Sequence, residues 1–238
     1  MALEPIETTL EKVFILTPTV RTFRFRFPEG QWVPFQAGQF CMVQVPSEPK
    51  PVKKAYSISS APFEEGYLDL CIKKVEGGFA TTWFWTLNGG EKITLALPYG
   101  GFVLKNLEPE IIFIGTGTGL APLRSMIKTL FHQGCTQKVS LIFGVRHEEE
   151  MLYTEEWQEL EKKHTNFRFI PTVSRPQNIP APWTGEVGYV QDKLKKFFPD
   201  PKGKQIYICG LIPMIDGVQK VAAELGYDKK QIHFEKYV

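Results

Sequence analysis

The chain has 238 residues, 43% hydrophobic and 23% charged, with a formal net charge of +2; that length allows one large domain or two ordinary ones. The near-neutral balance gives no global field for nucleic acid or an anionic membrane, and no run reaches the roughly 18 apolar residues of a spanning helix. The opening "MALEPIETTLEK" is acidic and holds no apolar signal core.

A cytoplasmic protein with no nucleic-acid partner and no membrane insertion is therefore expected. Cys41, Cys71, Cys135 and Cys209 lie far apart, with no C-x-x-C pair. That spacing argues against a zinc site or a self-contained iron–sulfur cluster, so no metal is expected. It fits reduced thiols better than a disulfide framework.

In chain order, the first hundred residues read as β. "RTFRFRF" alternates strictly, with Phe23, Phe25 and Phe27 on one face and Arg24 and Arg26 on the other. "QFCMVQV", "YLDLCIKKV" and "EKITLAL" follow as short strands, separated by the turns "PEG", "APFEEG" and "NGG". Such spacing predicts a small antiparallel barrel or sandwich. Between them, "KKAYSISS" (53–60) is an odd strand. Ala55, Ser57 and Ser59 share one face; Lys54, Tyr56, Ile58 and Ser60 share the other; neither is a good core face.

After Gly101 the period changes. "EIIFI", "KVSLIF", "FRFIPTV", "QIYIC" and "QIHFE" are compact strands with helical patterns between them. One helical face is Leu120, Leu123, Met126, Ile127 and Leu130, with Pro122 in its first turn. Others are Leu152, Tyr153, Trp157 and Leu160; then Val190, Leu194 and Phe197; then Val218, Val221, Ala222 and Leu225, ended by Gly226. Strand–helix alternation predicts a parallel sheet covered on both faces. The boundary is placed at 105/106, within the stretch 102–109.

"IIFIGTGTGLAPLRSM" runs strand, glycine turn, helix. Gly115, Gly117 and Gly119 allow a tight turn and close backbone approach, and the helix start suits a pyrophosphate. A dinucleotide loop and a purely structural βα turn are the two readings, since the third glycine falls one residue early for G-x-G-x-x-G. "YICGLIPM" ends another strand with Cys209, Gly210 and Pro213, which would lie beside that loop. "GVRHEEEMLY" and "TVSRPQ" follow two more strands and put Arg146, Ser174 and Arg175 where an adenosine phosphate would bind.

The motifs "KKAYSISS", "LCIKKVEGGFATT", "PYGGF", "GTGTGLAP", "CGLIPM" and "FEKYV" stand in an order that resembles the ferredoxin–NADP reductase family, over nearly the whole chain. The resemblance implies an N-terminal antiparallel FAD-binding barrel (1–105) and a C-terminal five-stranded parallel α/β domain (106–238) for NAD(P). By the family's Arg-x-Tyr-Ser motif, Tyr56 contacts the flavin and Ser57 approaches its N5, with Ala55 between Tyr56 and Lys54. Lys54 replaces the family's arginine and so lacks the planar fork for phosphate. The pyrophosphate would also meet Gly77, Gly78, Ala80 and Thr81, and Cys71, Ile72 and Lys73 would flank the flavin. Thr116, Thr118 and Pro122 belong to the nicotinamide loop, and Met214 to "CGLIPM". Cys209 would lie beside the nicotinamide C4, and Glu235 would complete a proton path. Tyr237 would be the aromatic that covers the flavin, with Phe234 as a second stacking candidate and Val238 beyond.

The function so implied is an NAD(P)H-dependent flavoprotein reductase, leaning to NADPH, that feeds a separate ferredoxin, flavodoxin or oxygenase component one electron at a time. A monomer is favoured. A free-flavin reductase and a non-catalytic flavin-binding subunit are the alternatives. Lys50, Lys53, Lys54, Lys73 and Lys74 are either a docking face for an acidic partner or solvated lysines.

Overall fold

The computed structural model describes residues 4–177 and 183–237. Contacts divide the chain into two compact units, residues 1–104 with 121–133, and residues 105–120 with 134–238.

The first unit holds β1 (Ile6–Thr17), β2 (Val20–Arg26), β3 (Phe40–Val45), β4 (Val52–Ser57), β5 (Tyr67–Lys73), α1 (Phe79–Phe84) and β6 (Lys92–Tyr99). The sheet order is β4-β3-β6-β1-β2-β5, with antiparallel pairing throughout. A single bridge, Ile58 to Leu70, joins the two edges and closes the barrel. Phe23, Phe25 and Phe27 are buried, as their alternation requires, and Arg24 turns outward onto the Tyr67 ring at 3.8 Å and Asp69 at 2.8 Å. The sequence reading missed β1. Irregular register between Leu10 and Lys12 and between Ile15 and Thr17 breaks its two-residue period, which hides a twelve-residue strand from pattern reading.

The second unit is a parallel sheet. Its strands are β7 (Glu110–Thr116), β8 (Val139–Val145), β9 (Phe167–Val173), β10 (Glu186–Val187), β11 (Lys204–Leu211) and β12 (Ile232–Tyr237). The order is β10-β9-β8-β7-β11-β12, every pair parallel. Five strands were expected; the sixth, β10, is two residues long and adds to the β9 edge. Helices α4 (Val190–Phe197) and α5 (Ile212–Glu224) bury Val190, Leu194, Ile215 and Val218 against Ile112, Ile114, Ile206 and Ile208. Trp157 of α3 (Thr154–Lys163) meets Phe167 and Phe169, which point to the opposite face from Ile170. Tyr153 was read as part of α3's face, but it precedes the helix with φ 54, so only Trp157 and Leu160 of that set are helical.

Helix α2 (Leu120–His132) leaves the glycine loop directly, yet residues 121–133 group with the barrel. Arg124 donates to the Ser59 carbonyl at 2.9 Å, Lys128 pairs with Glu64 at 2.6 Å, and His132 stacks on Phe63 at 3.8 Å.

Among the described residues, no helix is long and apolar enough to cross a membrane. Among them too, no three His, Cys, Asp or Glu side chains form a metal-binding group. Val238 lies outside the described residues.

Candidate functional site

The barrel's contribution starts at β4, an edge strand with one full ladder neighbour, β3. Val52 to Ala55 are exposed, Tyr56 is half-buried and Ser57 is 9% exposed. The face carrying Tyr56 and Ile58 does reach the barrel core, contrary to its polar look. Ile58 is fully buried, and the Tyr56 ring meets Phe84 edge-on at 5.2 Å. Sparse apolar character was misleading because two residues suffice to anchor a strand end. Lys54 and Ala55 stay exposed beside them.

Burial pushes the Cys41 thiol up to about 12. Burial, with Cys41 opposite it in the β3–β4 register, pushes the Tyr56 phenol up to about 12 as well. Unfolded, these groups titrate near 9.0 and 10.0. Their folded pKa is raised, so their contribution is fully present below pH 9 and is lost as pH climbs towards 12. Each group then costs up to about 1.4 kcal/mol per pH unit. Thermal melts between pH 7 and 11 are expected to hold level to about pH 9 and then fall, with Cys41→Ala flattening part of the fall; a flat wild-type curve to pH 11 would contradict this.

Beyond β5, whose Cys71 and Ile72 are buried and Lys73 exposed, the chain turns at Gly77 and Gly78 into α1. Gly77 has φ +69 and open space where a Cβ would point; Gly78 is cramped, a Cβ there lying 2.7 Å from Thr81 Oγ1. The Thr81 hydroxyl works inside the loop. It accepts from the Val75 N–H at 3.1 Å and lies 3.2 Å from the Val75 and Gly78 carbonyls. Ala80 is buried. The loop therefore offers bare backbone at Gly77, with the exposed amines of Lys54 and Lys73 on the strands. A half-buried phenol, a serine at the strand end, cations and bare glycine backbone fit a flavin dinucleotide's ring and phosphates.

In the second unit the strand order reverses between β7 and β11, the point where open α/β sheets bind ligands beyond their C-terminal ends. The loop Gly117–Gly119 sits there. Gly117 has φ +52 and nothing within 4 Å of a built Cβ, so its backbone is bare. Gly119 is packed on β11: a Cβ would meet the Cys209 carbonyl oxygen and lie 2.6 Å from its carbonyl carbon. At Gly210, φ +154, a Cβ would press on the side-chain ends of Thr116 and Met214. Thr116, Gly210 and Met214 thus gather at one junction with Gly115, which pairs with Cys209 across the ladder, and Thr118 and Pro213 are near them in the chain. Open backbone at a switch point fits the pyrophosphate of a nicotinamide dinucleotide.

Cys209 is fully buried and pairs with Glu235 in the β11–β12 register. Tyr237 hydrogen-bonds its sulfur. Burial first, and the Glu235 charge second, hold the thiol well above its ordinary range, against the pull of Tyr237. The thiol is therefore neutral at working pH. The structure brings Cys209, Glu235 and Tyr237 together on one side of the sheet. Phe234 it does not: it lies one residue out of phase, 44% exposed beside Lys236, opposite to Tyr237.

A further group forms at the ends of β8 and β9. Ser174 donates to the Val145 carbonyl at 3.0 Å and Arg175 to the Arg146 carbonyl at 2.8 Å, which fastens the two loops side by side. Arg146 and Arg175 are exposed, and neither guanidinium has a hydrogen bond or ion pair among the described residues. Tyr189 escaped the sequence reading. It is 60% exposed and follows Gly188, whose N–H bonds the Val173 carbonyl at 2.9 Å. Its signal was available: an aromatic after the glycine of "GEVGY". Pro122 is buried within α2 and groups with the barrel.

A barrel with a polar edge strand, followed by a doubly wound sheet with a glycine loop at its switch point, defines a two-domain flavoprotein oxidoreductase. The family models agree: "Oxidoreductase FAD-binding domain" matches residues 7–104 and "Oxidoreductase NAD-binding domain" residues 113–220. The chain is 34% identical over 242 residues to ferredoxin–NADP reductase B of Sorangium cellulosum, covering 98% of each. It is 33% identical to the phenol hydroxylase P5 protein of Acinetobacter pittii, covering 98% of this chain but 65% of that one. Among solved structures, the Amycolatopsis reductase GcoB superposes with a TM-score of 0.89 at 25% identity, over 98% of this chain and 70% of the other. A ferredoxin NADP+ reductase from Neisseria gonorrhoeae, with TM-score 0.85, 24% identity and 98% of each chain covered, shares the fold. The chain belongs to the ferredoxin–NADP reductase family. It is an NAD(P)H-dependent flavoprotein reductase, and its cofactors are FAD and a nicotinamide dinucleotide.

Proposed function

We propose that residues 1–105 hold FAD along β4 and the Gly77–Gly78 loop, that residues 106–238 bind NAD(P)H at the glycine loop, and that electrons leave singly to a separate carrier protein. The observation that carries this reading is the assembly of Cys209, Glu235 and Tyr237 at the switch point beside Gly119. FAD supplies the acceptance of a hydride and the release of single electrons. The chain's own residues position and exclude water: neutral Cys209 packs the nicotinamide end, Tyr237 holds its sulfur from β12, and Glu235 carries a proton. Ser57 donates its hydroxyl towards the flavin's reacting edge. The names of two relatives, a ferredoxin–NADP reductase and a phenol hydroxylase P5 protein, support a one-electron protein acceptor such as a ferredoxin, flavodoxin or oxygenase component. The exposed amines of Lys50, Lys53, Lys54, Lys73 and Lys74 support an acidic one.

Visible spectra of the purified, dialysed protein and anaerobic mixing with NAD(P)H test the reading. Stoichiometric bound FAD that bleaches on mixing is expected; bound flavin that NAD(P)H never reduces would sink it. A second reading, a free-flavin reductase, draws on the exposed single cation at Lys54 and on the Thr81 hydroxyl being engaged inside its loop. A colourless protein that oxidises NAD(P)H only when flavin is added would favour it.

The preferred nicotinamide is NADPH. Arg146, Ser174 and Arg175 form one cationic corner at the strand ends, suited to a 2′-phosphate. Arg175→Ala is expected to weaken NADPH about tenfold or more and NADH less than about twofold, the loss of one charged hydrogen-bonding partner. Equal losses for both, measured as KM or as binding constants, would remove the preference.

A further inference from the structure

Arg124 lies within α2 and is 8% exposed. A guanidinium keeps its charge in any protein environment, so a buried one must be paired or hydrogen-bonded. Its Nη1 donates to the Ser59 carbonyl at 2.9 Å. Ser59 stands two residues after Ser57, in the stretch that carries β4 across to the far edge of the barrel. That stretch is held from two other sides. Ile58 N–H donates to the Gln39 carbonyl at 3.0 Å. Ser59 N–H and hydroxyl both donate to the Asp69 carbonyl, at 2.8 and 3.0 Å, and Ser60 Oγ accepts from the Asp69 N–H at 3.0 Å. Arg124 is the point at which α2 reaches this strand end. Lys128 seats the next turn of the helix on Glu64, which also accepts from the Ala61 N–H and the Tyr67 hydroxyl. The same helix begins where the glycine loop ends.

We propose that Arg124 is a positioning residue for hydride transfer. Its hydrogen bond to Ser59 fixes the end of β4, and with it the Ser57 hydroxyl and Tyr56 ring, from the helix that starts at the dinucleotide loop. The inference rests on the reading that β4 holds the flavin with Ser57 at its reacting edge. A charged donor on a carbonyl is among the stronger hydrogen bonds, and a buried helix is a rigid place to mount it. Gln39 and Asp69 hold this stretch within the barrel, and Arg124 adds a charged donor from α2, while reacting geometry is lost with displacements near an ångström.

The test is a double-mutant cycle on the FAD-loaded full chain, read as the limiting rate of flavin reduction by NAD(P)H. Arg124→Leu is expected to slow reduction about tenfold, with flavin content and NAD(P)H affinity within about threefold of wild type. In a Ser57→Ala background the same substitution is expected to add no more than about a twofold loss, because the group it positions is gone. Arg124→Lys, which keeps one charged donor, is expected to recover most of the rate. Equal slowing in both backgrounds means that Arg124 acts on the fold at large, and the proposal falls; unchanged rates in Arg124→Leu also overturn it. If Ser57→Ala alone leaves the rate intact, the placement of the flavin is what fails. Should Arg124→Leu not fold, Arg124→Lys carries the cycle, with a slowing of about threefold that vanishes in the Ser57→Ala background.

Discussion

Gly119→Ala is expected to lower kcat/KM for NAD(P)H by about 100-fold while the bound flavin stays in place. The methyl group would lie 2.6 Å from the Cys209 carbonyl carbon and 2.8 Å from Gly210 Cα, and both obstacles are backbone. Neither can rotate away as a side-chain tip would, so the loop and β11 must part. Overpacking of this kind costs about 1–3 kcal/mol. The displacement falls where Thr116, Gly119, Cys209 and Gly210 meet, so it moves the dinucleotide loop relative to Cys209. Gly117→Ala tests the open side of the same loop. It meets nothing of the protein within 4 Å, so the fold bears only the left-handed backbone at φ +52, about 1–2 kcal/mol, and the methyl enters the space offered to the dinucleotide. Stopped-flow reduction and thermal melts on both variants separate the effects. A Gly119→Ala protein that reduces its flavin within threefold of wild type would show that the close approach has no functional consequence.

Cys209→Ala should slow hydride transfer to the bound flavin by about ten- to a hundredfold, with FAD content unchanged. Cys209 is fully buried, its backbone supports Gly119, and its sulfur takes a hydrogen bond from Tyr237. Removing the sulfur leaves Tyr237 without that partner and opens a small void next to Glu235, which loosens the packing on which the proposed nicotinamide site depends. Because the thiol is neutral, it is not a nucleophile. Iodoacetamide is therefore expected to spare Cys209 at pH 7–8, and the rate of hydride transfer should show no rise across that interval from thiol ionisation. Rapid alkylation of Cys209, mapped by mass spectrometry, would contradict the buried, neutral assignment. A Cys209→Ala enzyme of full speed would contradict its role.

Much of this molecule could be read before its coordinates because its strongest signals are local. The Phe23, Phe25, Phe27 alternation follows directly from the pleat, and "FRFIPTV" coincides with β9 residue for residue. The glycine loop was legible because only glycine suits a turn that must both open at Gly117 and close on β11 at Gly119. What escaped were features decided by partners distant in the chain. β1 was not picked out because irregular pairing with β2 spoils its period. The Thr81 hydroxyl was read as a phosphate ligand, and its bonds to Val75 and Gly78 depend on how the loop folds back. Arg124 drew no reading from the sequence, since its partner Ser59 lies far upstream. Phe234 could have been separated from Tyr237 by parity alone, since residues an odd number apart on a strand face opposite ways.

Helix α2 is continuous in the chain with the glycine loop, yet Arg124, Lys128 and His132 rest on Ser59, Glu64 and Phe63. Met126 reaches Gly38, where φ +99 and the nearby Phe102 backbone leave no space for a side chain. The cut in the chain and the cut in space therefore do not coincide. Anyone exchanging C-terminal halves between relatives at Leu104/Lys105 would graft a foreign helix onto a resident barrel. Such chimeras should fold only when positions 124, 126, 128 and 132 are chosen to suit 59, 38, 64 and 63. A working swap would move the loop and sheet but leave residues 121–133 with the barrel they came from.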